Sequence, residues 1–229
     1  MLDERLSLVR DLYDPCDLAA DIGTDHARLP GELLLSGICE RMLLTDISES
    51  ALNNAREHIR RLRLTDRVSF LRGDGLLPLK ASRDPCQIIS ITGMGGRTIR
   101  DILLRGRDCL RGASLILSAH TDLPLIREAM NAIAYHPDRE EPVFCAGRYY
   151  LIIRARPGLA HPLSEAEIRT GSACLFASDS PFLSGYLARR RDVLAEKERG
   201  LLAAVSPERE ILHRIREDLE TYDTYLTKR

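Results

Sequence analysis

The sequence predicts an α/β protein: a largely parallel sheet with helices on both faces, an antiparallel hairpin that closes it, and a helical appendage. Three observations carry this prediction. Short apolar runs alternate with amphipathic stretches through residue 133, the pattern of parallel strands buried between helical layers. Two strand-like runs, 143–145 and 149–154, flank Ala146-Gly147-Arg148 as a hairpin would. Beyond about residue 164 the pattern becomes helical and heavily charged.

In chain order, Leu2, Leu6, Val9 and Tyr13 recur three or four apart and predict a helix that ends at Asp14-Pro15. Residues 18–22 read as the first strand, with Gly23 at the turn. Residues 27–36 read as a helix that tolerates Pro30 in its first turn and stops at Gly37. Residues 41–45 form the second expected strand, with Asp46 at its exit. Ser48 opens a helix whose apolar face is Leu52, Ala55, Ile59 and Leu62. Strands are expected at 68–71, 86–92 and 114–117, and helices at 98–104 and 124–133. Pro157-Gly158 and His161-Pro162 suggest a boundary, dividing the chain into 1–158 and 159–229. In the second part, Ser164 starts a short helix. Residues 183–205 and 207–229 are expected to pair as an antiparallel helical hairpin joined at Ser206-Pro207.

Composition narrows the function. The chain has 229 residues, 44% hydrophobic and 29% charged, with a formal net charge of -1. That is ordinary for a globular protein and excludes a globally basic nucleic-acid binder, so any such surface is a local patch. Six scattered cysteines lack Cys-x-x-Cys spacing and read as small buried hydrophobes in a reducing compartment. No metal site is expected. With no membrane-length apolar run and no basic-then-apolar start, a cytoplasmic, monomeric protein is expected.

The chemistry-bearing residues sit where successive strands end. Asp21-Ile22-Gly23-Thr24-Asp25-His26 has a single glycine, too few for a pyrophosphate cradle. Its acids, Asp21 and Asp25, instead suit a cationic amino group or sulfonium, as in S-adenosylmethionine. Asp25 also suits a helix cap, and His26 suits either the ligand or a buried hydrogen bond. Asp46 is placed to accept from ribose hydroxyls, or to cap the next helix. Gly73-Asp74-Gly75 can meet an adenine amino group or form an ordinary turn. Gly93-Met94-Gly95-Gly96 bares backbone above the fourth strand, with Met94 as an apolar, polarizable contact. His120 follows the fifth strand and can stack on a base, hydrogen-bond it or move a proton. A strand-and-helix alternation that ends in a hairpin, with acids at the strand exits, is the layout of a class I (Rossmann-like) methyltransferase.

These motifs resemble the bacterial tRNA adenine-22 N1-methyltransferase family. The resemblance rests on Ala20-Asp21-Ile22-Gly23-Thr24-Asp25-His26-Ala27-Arg28-Leu29-Pro30, Gly73-Asp74-Gly75-Leu76 and Ile91-Thr92-Gly93-Met94-Gly95-Gly96. Arg5-Leu6 and Ile126-Arg127-Glu128 look similar too. It implies S-adenosyl-L-methionine as cofactor, bound by Asp21, Gly23, Asp25, Asp46 and Asp74, and tRNA as partner; Asp25, Met94 and His120 are the residues expected at the reacting centre. An RNA surface is expected from rim arginines and the helical tail, with Arg5, Arg28, Arg97, Arg189, Arg190 and Arg191 as candidates. Two departures stand out. Ser118-Ala119-His120 replaces the family's Gln-Pro-Asn, and Asp46 stands where relatives often carry Glu. Rival readings keep the same donor residues: a methyltransferase with another acceptor, or a non-catalytic binding module.

Overall fold

The computed structural model describes residues 2–158, 161–203 and 208–228. The expected boundary at 158/159 and the Ser206-Pro207 connection touch or lie outside these residues. Helix α1 (Glu4–Asp11) starts where the Asp3 carboxylate accepts the Leu6 amide at 2.7 Å. It is followed by β1 (Cys16–Ile22), α2 (Arg28–Leu35), β2 (Cys39–Asp46), α3 (Glu49–Arg61), β3 (Val68–Arg72), β4 (Ile88–Met94), α4 (Gly96–Arg105), β5 (Ser114–Ala119) and α5 (Leu123–Ala132). The hairpin is β6 (Tyr135–Cys145) and β7 (Arg148–Pro157). The appendage holds α6 (Glu165–Thr170), α7 (Ala173–Phe176), α8 (Leu183–Leu202) and α9 (Arg209–Thr227).

The seven strands lie in the order β3-β2-β1-β4-β5-β7-β6. Strands β1 to β5 are parallel, and β7 runs antiparallel between β5 and β6. All five parallel strands therefore end on one edge, and the order reverses between β1 and β4. That reversal opens a crevice, the usual ligand position of such sheets.

Strand residues alternate strictly between the two faces. Ala19, Met42, Ile88, Ile116 and Ile152 pack with α1, α2 and α3 on one side. Ala20, Leu43, Ile89, Leu115 and Ile153 pack with α4 and α5 on the other. Leu175, Leu183, Leu187 and Tyr222 of the appendage join this second cluster, so the later helices complete the domain's core.

Two elements differ from the sequence reading. Strand β6 begins eight residues earlier than expected. Pro137 and Pro142 argue against a strand, but β6 is the sheet's edge, where a missing N–H leaves no ladder partner unpaired. The pairing with β7 shifts between Pro137 and Arg139, leaving Asp138 as a bulge residue. Helix α7 was not foreseen; at four residues it has no readable period. Five of the six cysteines are buried, as expected, and all are free.

Candidate functional site

The site is built at the β1/β4 crevice. After β1 the chain turns at Gly23, whose amide donates to Thr45 O at 2.8 Å, while Thr24 N donates to the same oxygen at 3.0 Å. Gly23 has φ +78°, and a methyl group there would collide with Met94 Cε. The positive φ favours glycine here, and a side chain would also push the Met94 methyl aside. Met94 reaches this position through a bulge. Thr92 pairs with Ser118 and Met94 with Ala119, so Gly93 is the extra residue, at φ +78°. The thioether thus bridges the crevice above a bare backbone.

A hollow of about 410 Å³ opens here. Its walls include Asp21, Gly23, Asp25, His26, Arg28, Gly93 and His120, bringing together residues from three separate stretches of sequence. Arg5, on the first turn of α1, also lines it. The Arg5 guanidinium carbon lies 5.5 Å from the Tyr150 ring centre. Its Nη1 is buried and has no hydrogen-bond partner among the described residues. Helix α2 begins at the hollow's rim with Ala27 at φ 49° and no side-chain cap, so its first amides keep their donor capacity.

The strand-tip acids divide into two kinds. Asp25 is exposed, with Oδ1 accepting from Asn54 Nδ2 at 3.2 Å and Oδ2 3.1 Å from His26 Nε2. The helix cap is Ala27 instead, so Asp25 does not serve as one. Asp46 caps the following turn, Oδ1 accepting Ser48 N at 2.7 Å. Asp74 pairs through Oδ2 with Arg105 at 2.7 Å. Both keep a second carboxylate oxygen with no hydrogen bond among the described residues. Beside Asp46, Ile47 is 69% exposed, an apolar surface at the β2 exit that the sequence reading missed.

Asp21 departs from the expected open acid. It is 8% exposed and accepts Ser90 Oγ at 2.6 Å and Thr24 Oγ1 at 2.5 Å. Tyr13 donates in turn to Ser90 at 2.7 Å. Burial pushes the Asp21 carboxyl above its ordinary range, opposed by the Ser90 and Thr24 hydroxyls. Only one edge of Asp21 reaches the hollow. Ser90 and Tyr13 carried no functional signal in the sequence, because Ser90 meets Asp21 across 69 residues and meets Tyr13 across 77.

The Gly93-to-Gly96 segment is not an open loop. Gly93 and Met94 finish β4, Gly95 caps α4, and Gly96 begins it. Gly96 donates to Thr121 O at 3.0 Å and has no room for a Cβ beside Asp122 O. That glycine serves loop packing, while Gly93 stays exposed toward the hollow. Gly73 and Gly75 flank Asp74 at the β3 exit, away from the hollow's walls.

The arginines separate as well. Arg97 is exposed on the first turn of α4. Arg189 and Arg190 face a second cleft beyond His120. Arg191 turns to α9, where Asp223 holds it at 2.7 Å, so the run of three does not act as one patch. Among the described residues, no group of three or more His, Cys, Asp or Glu has metal-binding geometry, and no helix is long and apolar enough to cross a membrane.

Comparison with known proteins agrees with this arrangement. A family described as a methyltransferase domain matches residues 2–153. A tRNA (adenine(22)-N(1))-methyltransferase of Bacillus subtilis (strain 168) is 30% identical over 158 residues, 69% of this chain. The match spans 66% of that protein's length, just short of two thirds. The crystal structure of the B. subtilis M1A22 tRNA methyltransferase TrmK superposes with a TM-score of 0.85 at 23% identity, covering 99% of both chains. Streptococcus pneumoniae Sp1610 in complex with S-adenosyl-L-methionine superposes with a TM-score of 0.81 at 26% identity, covering 96% of this chain and 100% of that one.

Proposed function

Because the chain belongs to the methyltransferase-domain family, we propose that it is an S-adenosyl-L-methionine-dependent tRNA methyltransferase that modifies N1 of an adenine, at position 22. The carrying observation is the hollow at the sheet's reversal point, roofed by Met94 over Gly23 and edged by Asp25. Its likeness to the Bacillus subtilis enzyme supports the acceptor. The cytoplasm is the proposed compartment.

The residues present fit this donor. The hollow lined by Gly23 and Gly93 admits a ligand against bare backbone. The carboxylates of Asp25 and Asp21 suit an ammonium and a sulfonium. The uncapped amides of α2 and Arg28 suit a carboxylate. Asp46 offers its spare oxygen to ribose, Ile47 an apolar face to a purine, and Asp74 its spare oxygen to an amino group. When bound, the donor supplies an electrophilic methyl group.

The acceptor nitrogen lies on the Watson–Crick edge and must be unpaired to react. It is a neutral nucleophile, so the protein's work is to position and desolvate it, with no strong base required. His120, exposed at the rim with its ring 5.8 Å from Tyr150, is placed to contact the base. Met94 is placed beside the reacting centre. Asp25 supplies negative charge to the cationic product ring.

Incubation with labelled S-adenosyl-L-methionine and unmodified tRNA, followed by mapping of the label, tests the proposal. One N1-methyladenine is expected. Label in no tRNA, or on another base, overturns it. Replacing Asp25 with alanine is expected to lower kcat/KM at least about tenfold; unchanged transfer and donor affinity remove its role.

A further inference from the structure

The hollow above Gly23 is not the largest opening on the described surface. A cleft of about 710 Å³ lies between the loop after β5, the tip of the β6–β7 hairpin and the first turns of α8. Both are lined by His120, so the cleft adjoins the hollow at that residue.

Its lining has an unbalanced charge. Arg148, Arg189 and Arg190 face it, against the single carboxylate of Asp122. Arg148 and Arg189 are exposed and make no ion pair among the described residues. The neighbouring Arg191, by contrast, is neutralised by Asp223. Between these cations the lining is aromatic. Phe144 is 40% exposed, and its ring lies 4.8 Å from that of Tyr149. Tyr149 is held in place in turn, its hydroxyl lodged against Gly185 and its ring 6.4 Å from Tyr186. The exposed phenyl thus stands on a support fixed to both the hairpin and α8.

Unpaired guanidinium groups beside an exposed, rigidly mounted ring match the chemistry of single-stranded nucleic acid: phosphates for the cations and a base face for the ring. A fully paired helix could not offer a base face to Phe144. We infer that this cleft seats unpaired nucleotides flanking the target adenine, with phosphates on Arg148 and Arg189 and a base against Phe144. The inference rests on the proposed tRNA activity and assigns that activity a strand-entry site. It explains why the hairpin tip and α8 are locked together: the groove would lose its shape if either moved alone.

The test compares the full chain with a double variant, Arg148→Ala with Arg189→Ala, and with Arg199→Ala, an exposed α8 charge outside the cleft. Donor affinity is read by calorimetry, tRNA binding across a salt series, and methyl transfer by steady-state kinetics. The double variant is expected to keep donor affinity, raise KM for tRNA about tenfold and flatten the salt slope by about 1.4, for two lost single-strand phosphate contacts. Arg199→Ala is expected to match the parent. Phe144→Ala is expected to weaken tRNA binding at least about fivefold with little change in salt slope.

Parent-like KM and slope in the double variant overturn the cleft assignment while leaving the methyltransferase reading intact. Equal losses in Arg199→Ala overturn it too, since a diffuse field then explains binding. A parent protein that neither binds nor methylates tRNA overturns the functional reading, and this assignment with it. A dimer that dissociates in the double variant by sedimentation reassigns the cleft to self-association.

Discussion

At the scale of single residues, Asp21 is a buried acid on the wall of the hollow. Its folded-state pKa is raised by burial, so the folded protein holds that proton more tightly than the unfolded chain does. The stability it contributes is present on the acid side and is lost as pH rises through the folded value. At neutral pH the buried charge therefore works against folding, with Ser90 and Thr24 offsetting part of the penalty. Asp21→Asn is expected to raise the thermal midpoint at pH 7 by about 2–4 °C if the net penalty is near 1 kcal/mol. The gain should shrink toward pH 4, and donor affinity should fall. Thermal unfolding across pH and calorimetric donor titration measure both; a lower midpoint at pH 7 means the hydroxyl bonds outweigh desolvation.

At the scale of elements, one buried ion pair joins the sheet edge to the appendage. Arg127 of α5 donates through Nε to Glu140 of β6 at 2.7 Å, and the two side chains are 2% and 0% exposed. The other Glu140 oxygen accepts Ser172 N and Ser172 Oγ, each at 2.7 Å, just before α7. Arg127 also reaches Ile168 O in α6 at 3.2 Å. Burial pulls the guanidinium pKa down more than any single partner raises it, but the charge and hydrogen bond of Glu140 together with Tyr186 and Tyr222 outweigh it, and the net shift is upward. Removing one partner leaves the other buried and uncompensated. Glu140→Ala is expected to cost about 3–5 kcal/mol in urea unfolding. A double replacement of Arg127 and Glu140 by methionine is expected to recover most of that loss, because two apolar side chains leave no stranded charge. No recovery in the double variant would place the cost in packing instead.

At the scale of the whole molecule, the tail does more than extend from the sheet. Leu175, Leu183, Leu187 and Tyr222 share one apolar cluster with Ile126, Met130 and Leu151. Arg169 of α6 binds Asp218 of α9 at 2.9 Å, and Tyr222 donates to Thr170 O at 3.0 Å, pinning the hairpin back onto α6. A chain ending at Gly158 therefore exposes apolar surface that the full chain buries. It is expected to unfold well below the full-length protein and to aggregate on heating, as scanning calorimetry with light scattering would record. A truncated chain with an unchanged midpoint would mean that the sheet domain folds independently. Loss of tRNA binding on truncation alone would thus not locate the RNA surface, whereas point changes in the cleft would.

The alternation of strands and helices was legible because parallel strands buried on both faces must be apolar, while their covering helices show a three-to-four-residue period. The strand-tip turns were legible too, because Gly23, Gly75 and Gly93 take the positive φ that favours glycine. Three features were decided only by tertiary structure. Strand β6 extends through two prolines because it lies at the sheet edge. Asp21 is sheathed because Tyr13 and Ser90 arrive from distant segments. Arg189 parts from Arg191 because α9 supplies Asp223 to one and not the other. Local sequence sets backbone preference and hydrophobic period, whereas which polar groups stay open to a ligand depends on contacts between residues far apart in the chain.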